Sequence, residues 1–336
     1  MAKKKNAASR SKNPALKATA PVSKPRAKNA PAAPSVPKTM FGKWVSAARP
    51  RTLGLAIAPV AFGTGVATVN QALVWLNASL ALLVAVFLQI GVNYANDYSD
   101  GIRGTDANRV GPFRLTASGL VKPARVRNAA FAFFALAAVA GLALVVITHL
   151  WWLLAVGAVC ILAAWFYTGG KKPYGYAGFG EIVAFIFFGP VAVYGTAYVQ
   201  TPNLFVGVWQ ALVAAGGALG LGFLAAAVLL VNNLRDVNTD AAVGKRTLSV
   251  RIGATGSKVL FTALTLGAIA TLVPYPVFYP ATILAYVSLL FVLPAILIVW
   301  TYRSPRELVT ALKIVSAAAL IYGLGLGLGL ARLFIG

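Results

Sequence analysis

The chain has 336 residues, of which 59% are hydrophobic and 11% are charged, and its formal net charge is +23. This balance excludes an ordinary soluble domain of the same length, whose surface would need more ions to stay in water. Its single cysteine, Cys160, excludes an intramolecular disulfide and a cysteine-built metal site. The basic residues are not interleaved with a foldable polar domain, so no nucleic-acid partner is expected. We therefore predict an all-α polytopic membrane protein.

Residues 1–40 are rich in Lys, Ala, Pro and Ser and contain almost no large apolar side chains. Such a segment buries too little surface to offset the entropy of ordering, so we predict a disordered basic cytoplasmic tail. The tail either contacts anionic lipid or is an inert solvated extension. Residues 41–336 are predicted to form the transmembrane domain.

Nine apolar runs are long enough to cross about 30 Å of hydrocarbon, which takes roughly 20 helical residues. They cover residues 52–70, 78–96, 127–148, 151–168, 180–199, 205–231, 257–274, 279–301 and 308–333. The loops after even-numbered runs carry Lys and Arg, so the positive-inside rule places the N-terminus and these loops in the cytoplasm. We predict an integral protein of the cell (plasma) membrane whose helices surround a central cavity that opens to the cytoplasmic side.

The ninth run carries a glycine at every second position from Gly323 to Gly329. Small residues let helix backbones approach closely, so this pattern favours close packing with a neighbour over a thinned wall.

The chain has five aspartates, and they fall in two short segments. The first holds Asp97, Asp100 and Asp106, and the second holds Asp236 and Asp240. Both segments follow even-numbered runs, so both are expected at the cytoplasmic side, facing one another across one cavity. Asn93 stands four residues before Asp97, and Asn232 stands four residues before Asp236, so on helices each pair shares a face.

Oxygen donors without nearby histidine or cysteine suit a hard cation such as Mg²⁺. Mg²⁺ keeps waters and bridges carboxylates to substrate phosphates, so a diphosphate ligand is expected. Nearby cations would neutralise the rest of its charge. These are Arg114, Lys122, Lys171, Lys245 and Arg246. The alternative is that the aspartates form surface ion pairs of about 0–1 kcal/mol with the loops, which would not explain why the other basic loops lack acid.

Three segments, NDYSDGIRGTD, YTGGKKPYGYAGFGE and NNLRDVNTD, together resemble the UbiA superfamily of intramembrane aromatic prenyltransferases, and within it the menaquinone branch. The resemblance extends from about Trp44 to the C-terminus. It implies that two Mg²⁺ ions hold a polyprenyl diphosphate on the two motifs. The residues that match these motifs are Asn93, Asp97, Asp100 and Asp106 in the first and Asp236 and Asp240 in the second, and Asn232 is a further candidate for substrate binding. Asp106 stands six residues after Asp100, where the general superfamily spacing is four.

Further residues resemble other elements of the family. Tyr167 and Lys171 match a Tyr-x-x-x-Lys element whose lysine is expected on the diphosphate, and Arg49 and Arg51 match the start of the first helix at the wall of the substrate site. Glu181 would activate or hold the acceptor's hydroxyl; alternatively, it only caps a helix.

The implied reaction is Mg²⁺-dependent transfer of a polyprenyl group to 1,4-dihydroxy-2-naphthoate with loss of diphosphate and CO₂, giving demethylmenaquinone. The long isoprene tail requires an opening from the cavity to membrane lipid, and no obligate protein partner is evident. Another acceptor, such as 4-hydroxybenzoate, homogentisate or a haem precursor, would use the same site chemistry. A cation-coupled transporter is the alternative of a different class, although transporter carboxylates usually lie near the membrane midplane.

Overall fold

A computed structural model describes residues 37–69, 71–105, 113–202 and 208–331. Asp106 and almost all of the predicted tail lie outside these ranges. Within them every regular element is helical, which confirms the all-α prediction. The α-helices are α1 Met40–Ala47, α2 Gly54–Val69, α3 Trp75–Ile102, α4 Pro123–Thr148, α5 Leu153–Phe166, α6 Gly180–Ile186, α7 Ala192–Tyr198, α8 Val208–Arg235, α9 Val237–Ala242, α10 Leu248–Ala270, α11 Tyr275–Phe278, α12 Leu289–Thr301 and α13 Pro305–Ala331.

Shorter elements connect several of these helices. A π-helical turn, Phe187–Val191, joins α6 to α7, and 3₁₀ turns form at Pro50–Thr52, Tyr174–Ala177 and Pro280–Ser288. Pro190 lies inside the π-helical turn and has no N–H to donate, which accounts for the local departure from α-helical hydrogen bonding.

In the part of the chain that the structure describes, seven helical stretches are long and apolar enough to cross a membrane, and α1 with α2 makes an eighth if this pair, bent by 48°, is one span. The bend lies between Thr52 and Gly54, just after a turn in which Arg49 adopts a φ of 55° before Pro50. The predicted run at 151–168 contains only the 14-residue α5, which at 1.5 Å per residue is about 21 Å long. The structure thus supports seven or eight crossings, and a ninth would need α5.

The helices pack in two apolar clusters. The larger one joins α2, α8, α10, α12 and α13 and includes the fully buried Phe62, Leu224 and Tyr322. The smaller one joins α1, α3 and α4 around Tyr94 and Leu115. Many large apolar side chains remain exposed on the outside of the bundle, as expected of a surface that faces lipid.

The glycines of α13 pack closely against two neighbours, as predicted. Gly323 and Gly327 touch the backbone of α2, whereas Gly325 and Gly329 touch the backbone of Pro280–Ser288. Residues two apart in a helix point about 200° apart, so successive glycines of this series contact neighbours on opposite sides of α13.

Substitution of Gly327 tests this packing. A Cβ at this position would lie 2.4 Å from the carbonyl oxygen of Ala61, so Gly327→Ala is expected to lower the free energy of unfolding by about 1–3 kcal/mol. Gly267→Ala is the matched control, because its Cβ would meet Phe223 at an ordinary 3.6 Å. Thermal unfolding in detergent measures both, and equal melting temperatures for the two variants would contradict the close contact.

Candidate active site

A cavity of about 600 Å³ lies among α2, α3, α4, α5, the α6–α7 segment and α8. It follows α3 from Ala81 to Asp100, about 28 Å at the rise of an α-helix. Its lining is polar around Asp100 and again at Arg49, Thr52 and Gln89, and it is mainly apolar elsewhere, where α4 and α5 contribute residues such as Leu142 and Val156. The cavity therefore combines a charged head with a long apolar body.

The polar face of α3 consists of Gln89, Asn93, Asn96 and Asp100, which are buried and line the cavity. Their spacing of four, three and four residues puts them on one side of the helix. Asp97, predicted to lie on this face, is absent from the cavity lining. Its place is taken by Asn96, which the sequence reasoning missed although Asn96 and Asp100 have the same four-residue spacing as Asn232 and Asp236.

Asp97 and Asn93 make contacts that hold the fold together. The Asp97 carboxylate accepts the backbone N–H of Leu115 on Oδ2 and that of Thr116 on Oδ1, both at 2.8 Å. Asn93 Nδ2 donates to the carbonyl oxygen of Ala48 at 2.8 Å.

The second aspartate segment lines the opposite wall of the polar end, with Asn232, Asp236 and Asp240 all at the cavity as predicted. The helix breaks at Asp236, whose φ of −98° and ψ of 6° separate α8 from α9, and the Asp240 N–H donates to the Asp236 carbonyl at 2.8 Å in the first turn of α9. Arg235, which the sequence reasoning did not single out, binds the Asp236 carboxylate through Nε at 2.7 Å and Nη2 at 2.5 Å. Asp236 is thus paired with a buried cation of its own segment.

Lys245 connects the two aspartate segments. Its Nζ lies 3.1 Å from Asp100 Oδ1 and 3.9 Å from Asp240 Oδ1. Arg114 Nη2 lies 3.6 Å from Asp100 Oδ2, and the Tyr176 hydroxyl donates to Asp100 Oδ1 at 2.5 Å. Asp100 is therefore the point where both segments, two buried cations and a phenol meet.

Tyr176 sits over this cluster from the 3₁₀ turn after α5. Lys245 Nζ is 4.4 Å from the centre of its ring, a cation–π contact. Burial and the negative charge of Asp100 raise the pKa of the Tyr176 phenol, so the hydroxyl stays protonated and remains a hydrogen-bond donor at neutral pH. The backbone N–H of Arg246 donates to the Tyr176 carbonyl at 2.9 Å and holds the turn in place.

Four predicted substrate-binding cations have exposed side chains and do not line the cavity. They are Arg51, Lys122, Lys171 and Arg246. For Lys171 the reason is the turn after α5, where Gly170 with a φ of 74° directs the chain to the surface. Among the described residues, the cations in the cavity lining are Arg49, Arg114 and Lys245.

Glu181 lies behind the cavity wall. It is buried in the first turn of α6, and its Oε1 accepts from Asn233 Nδ2 at 2.9 Å. Asn233 and the nearby Tyr167 line the cavity, whereas Glu181 does not. Asn233 therefore both contacts Glu181 and lines the cavity.

A second polar region of the lining consists of Arg49, Thr52 and Gln89, and Gln89 stands about three turns before Asp100 on α3. Gln89 Nε2 donates to Thr52 Oγ1 at 3.4 Å, and Gln89 Oε1 is buried and has no hydrogen-bond partner among the described residues. Arg49 has left-handed φ and ψ of 55° and 61°, a conformation that costs a residue other than glycine about 1–3 kcal/mol. Arg49 gives this region a positive charge, which a carboxylate group of a ligand would complement.

The oxygen donors at the polar end fit a divalent cation that arrives with a diphosphate. Among the described residues, no three His, Cys, Asp or Glu side chains lie close enough to cage an ion by themselves. Mg²⁺ commonly takes one or two carboxylates from the protein and completes its shell with water and phosphate oxygens. The separate carboxylates of Asp100, Asp236 and Asp240 match that mode.

Residues 56–317 match the UbiA prenyltransferase family. A "1,4-dihydroxy-2-naphthoate octaprenyltransferase" of Mycobacterium tuberculosis is 49% identical over 87% of this chain and 97% of its own length. One of the same name from Escherichia coli is 38% identical over 70% of this chain and 76% of its own length.

Solved structures share the fold. The UbiA homolog of Aeropyrum pernix K1 gives a TM-score of 0.63 at 16% identity and covers 80% of this chain and 96% of its own. A UbiA homolog from Archaeoglobus fulgidus bound to DMAPP and Mg²⁺ gives 0.54 at 17% identity, covering 87% and 100%. With the family match over most of the sequence and the same helical fold, this chain belongs to the UbiA prenyltransferase family.

Proposed function

We propose that this protein transfers a polyprenyl group from polyprenyl diphosphate to 1,4-dihydroxy-2-naphthoate, releasing diphosphate and CO₂, in menaquinone biosynthesis. The relatives of M. tuberculosis and E. coli carry the name of this activity. The observation that supports it most is the convergence of Asp100, Asp240 and Lys245 at the head of a long apolar cavity. A charged head and an apolar body match the two parts of a prenyl diphosphate.

The diphosphate would bind at the polar end. Asn96, Asp100, Asp236 and Asp240 would hold two Mg²⁺ ions there, and bound Mg²⁺ would stabilise the charge that develops on the leaving oxygen. Lys245 and its neighbour Arg114 would bind the remaining phosphate charge. Asp106, outside the described residues, stays a predicted further ligand.

The prenyl tail would lie in the apolar part of the cavity. When the bond between C1 and the diphosphate oxygen breaks, the electron pair leaves with the diphosphate and an allylic cation remains. The rings of Tyr167 and Tyr176 line the cavity at its polar end and would stabilise that cation through their π-faces. The apolar wall would keep water from it.

The aromatic acceptor would bind at the second polar region, with its carboxylate on Arg49 and a hydroxyl on Gln89 Oε1. Asn233, held by Glu181, would orient the ring from the other side. The ring carbon that bears the carboxyl attacks the allylic cation, and loss of CO₂ returns its electron pair to the ring. The first product is therefore the reduced quinol form of demethylmenaquinone.

Variants of the second polar region test the acceptor site. Arg49→Gln and Gln89→Leu are expected to raise KM for the naphthoate by about 10–100-fold, with little change in KM for the prenyl diphosphate. Arg51→Gln is the matched control, because Arg51 belongs to the same turn but its side chain is exposed. Steady-state kinetics with each substrate varied in turn gives these values, and an Arg51→Gln effect equal to that of Arg49→Gln would contradict the assignment.

We also infer nine crossings of the plasma membrane, with α5 as the fourth and the N-terminus and polar end of the cavity in the cytoplasm. The exposed cations near that end, such as Lys122 and Lys171, support this orientation. None of the residues of α5, a helix described over its whole length, is buried, so we place the opening to lipid beside it.

Cysteine labelling tests the orientation. In a Cys160→Ala background, Lys171→Cys is expected to react with a membrane-impermeant maleimide in inverted vesicles and not in intact cells. Trp75→Cys, at the exposed far end of α3, is expected to show the reverse pattern. Labelling of Lys171→Cys from outside intact cells would refute the orientation.

The activity itself is tested with purified protein in detergent, labelled octaprenyl diphosphate and Mg²⁺. Parallel reactions contain dihydroxynaphthoate or 4-hydroxybenzoate, with EDTA as a control. We expect product with the naphthoate only and none with EDTA. Product with hydroxybenzoate alone would refute the acceptor, and turnover unaffected by EDTA would refute the role of the metal.

A further inference from the structure

Asp97 differs from the other aspartates in its surroundings. It is 0% exposed, lies outside the cavity lining, and uses both carboxylate oxygens to accept backbone N–H groups. These N–H groups belong to Leu115 and Thr116, the two residues that follow Arg114. Asp97 therefore holds the chain immediately beside a cation that lies 3.6 Å from Asp100.

We propose that Asp97 is a positioning residue that fixes the Arg114 loop against α3, and that it does not bind the metal. This inference rests on the proposed function, since it assigns Arg114 to the diphosphate. Asp97 and Asp100 stand three residues apart, about 300° around the helix, so they lie on the same side one turn apart. Asp100 faces the cavity, while Asp97 anchors the loop that delivers Arg114 to Asp100.

The loop is built for this attachment. Ser118 N–H donates to the Arg114 carbonyl at 3.2 Å and Ser118 Oγ donates to the Leu115 carbonyl at 2.9 Å, which closes a compact turn. Gly101, one turn beyond Asp97, allows the close approach, because a Cβ there would lie 2.4 Å from Thr116 Cγ2. The loop thus meets α3 at two points on either side of Asp100.

The position of Asp97 also argues against coordination. An ion on Asp97 would need water or phosphate oxygens to complete its shell, and these reach a residue only from the cavity or from solvent. Asp97 faces neither. The two backbone N–H groups occupy both of its oxygens without a metal.

Asp97→Asn tests the proposal, because its amide NH₂ replaces one acceptor oxygen and meets a backbone N–H. Loss of one such hydrogen bond changes an equilibrium constant by about tenfold. We therefore expect amide exchange at Leu115 and Thr116 to be about tenfold faster, and KM for the prenyl diphosphate to be about tenfold higher. The Mg²⁺ concentration for half-maximal rate and the affinity for Mn²⁺ measured by EPR should stay at wild-type values. Asp100→Asn, in contrast, should weaken Mn²⁺ binding.

A double-mutant cycle separates positioning from general loss of structure. If Asp97 acts through Arg114, the effect of Asp97→Asn on KM should largely disappear in an Arg114→Ala background. Gly101→Ala displaces Thr116 with Asp97 intact, so it should raise KM in the same way and leave Mn²⁺ affinity unchanged. This second variant keeps the test usable if Asp97→Asn fails to fold.

Three results would overturn the proposal: weaker Mn²⁺ binding in Asp97→Asn with unchanged amide exchange, additive effects with Arg114→Ala, or a wild-type KM in Gly101→Ala. The exchange and Mn²⁺ measurements need no acceptor. If wild-type protein makes no naphthoate product, the proposed function fails and these two measurements still decide the role of Asp97.

Discussion

Asp100→Asn is expected to lower kcat/KM for prenyl transfer by about 10³-fold, the effect of removing one charged group from a preorganised electrostatic site. The Asp100 carboxylate lies 3.1 Å from Lys245 Nζ and 3.6 Å from Arg114 Nη2, and it accepts a hydrogen bond from the Tyr176 hydroxyl at 2.5 Å. Asparagine keeps the size of the side chain but removes the charge that both cations face. It also removes a carboxylate that we assign to the metal. Kinetics at saturating Mg²⁺ measures the loss, and a variant that retains more than a tenth of the wild-type value would contradict the assignment.

The same substitution is expected to destabilise the protein, because it leaves buried cations with less negative charge. Stability and catalysis can be separated with the double variant Asp100→Asn, Lys245→Met, which removes one of those cations. We expect its melting temperature to recover toward that of the wild type while its activity stays low. Recovery of activity together with stability would show that Asp100 serves the fold and not the reaction.

Gly157→Leu and Gly195→Leu are expected to change the length of prenyl chain that the enzyme accepts. Both glycines line the cavity, and a Cβ at either position would meet no heavy atom of the described residues within 4 Å beyond its chain neighbours and the backbone of its own helix. A leucine at either position would project into the space assigned to the tail. We expect kcat/KM for octaprenyl diphosphate to fall by about 10²-fold, the effect of a few kcal/mol of steric conflict.

Short substrates provide the comparison. DMAPP and GPP would fill only the part of the cavity next to the diphosphate. Their kcat/KM should therefore fall by a smaller factor than the kcat/KM for octaprenyl diphosphate. Val159→Leu is the matched control on α5, because Val159 is 56% exposed on the outer face of the bundle. An equal loss with long and short substrates would indicate a folding defect, and no loss with octaprenyl diphosphate would place the tail elsewhere.

Composition and local pattern were sufficient for the class of protein and for the general location of the site. Long apolar runs predict helices in lipid because each backbone group must find its partner within its own segment. The two aspartate segments stood out because carboxylate is almost absent elsewhere, and the structure brings Asp100 and Asp240 to one buried lysine. Glycine at alternate positions predicted the close contacts of α13, because residues without a side chain let neighbouring backbones approach one another.

Only the tertiary structure decided which side chains share the site. Asn96 and Asp97 are adjacent residues whose side chains point about 100° apart on α3. The pattern of polar residues alone does not determine which of the two faces the cavity. Lys245 and Arg114 reach Asp100 while Lys122 and Lys171 stay at the surface. That difference depends on how loops distant in sequence fold back over the helix ends. The sequence around a Lys or Arg does not show whether its side chain will lie in the cavity or at the surface.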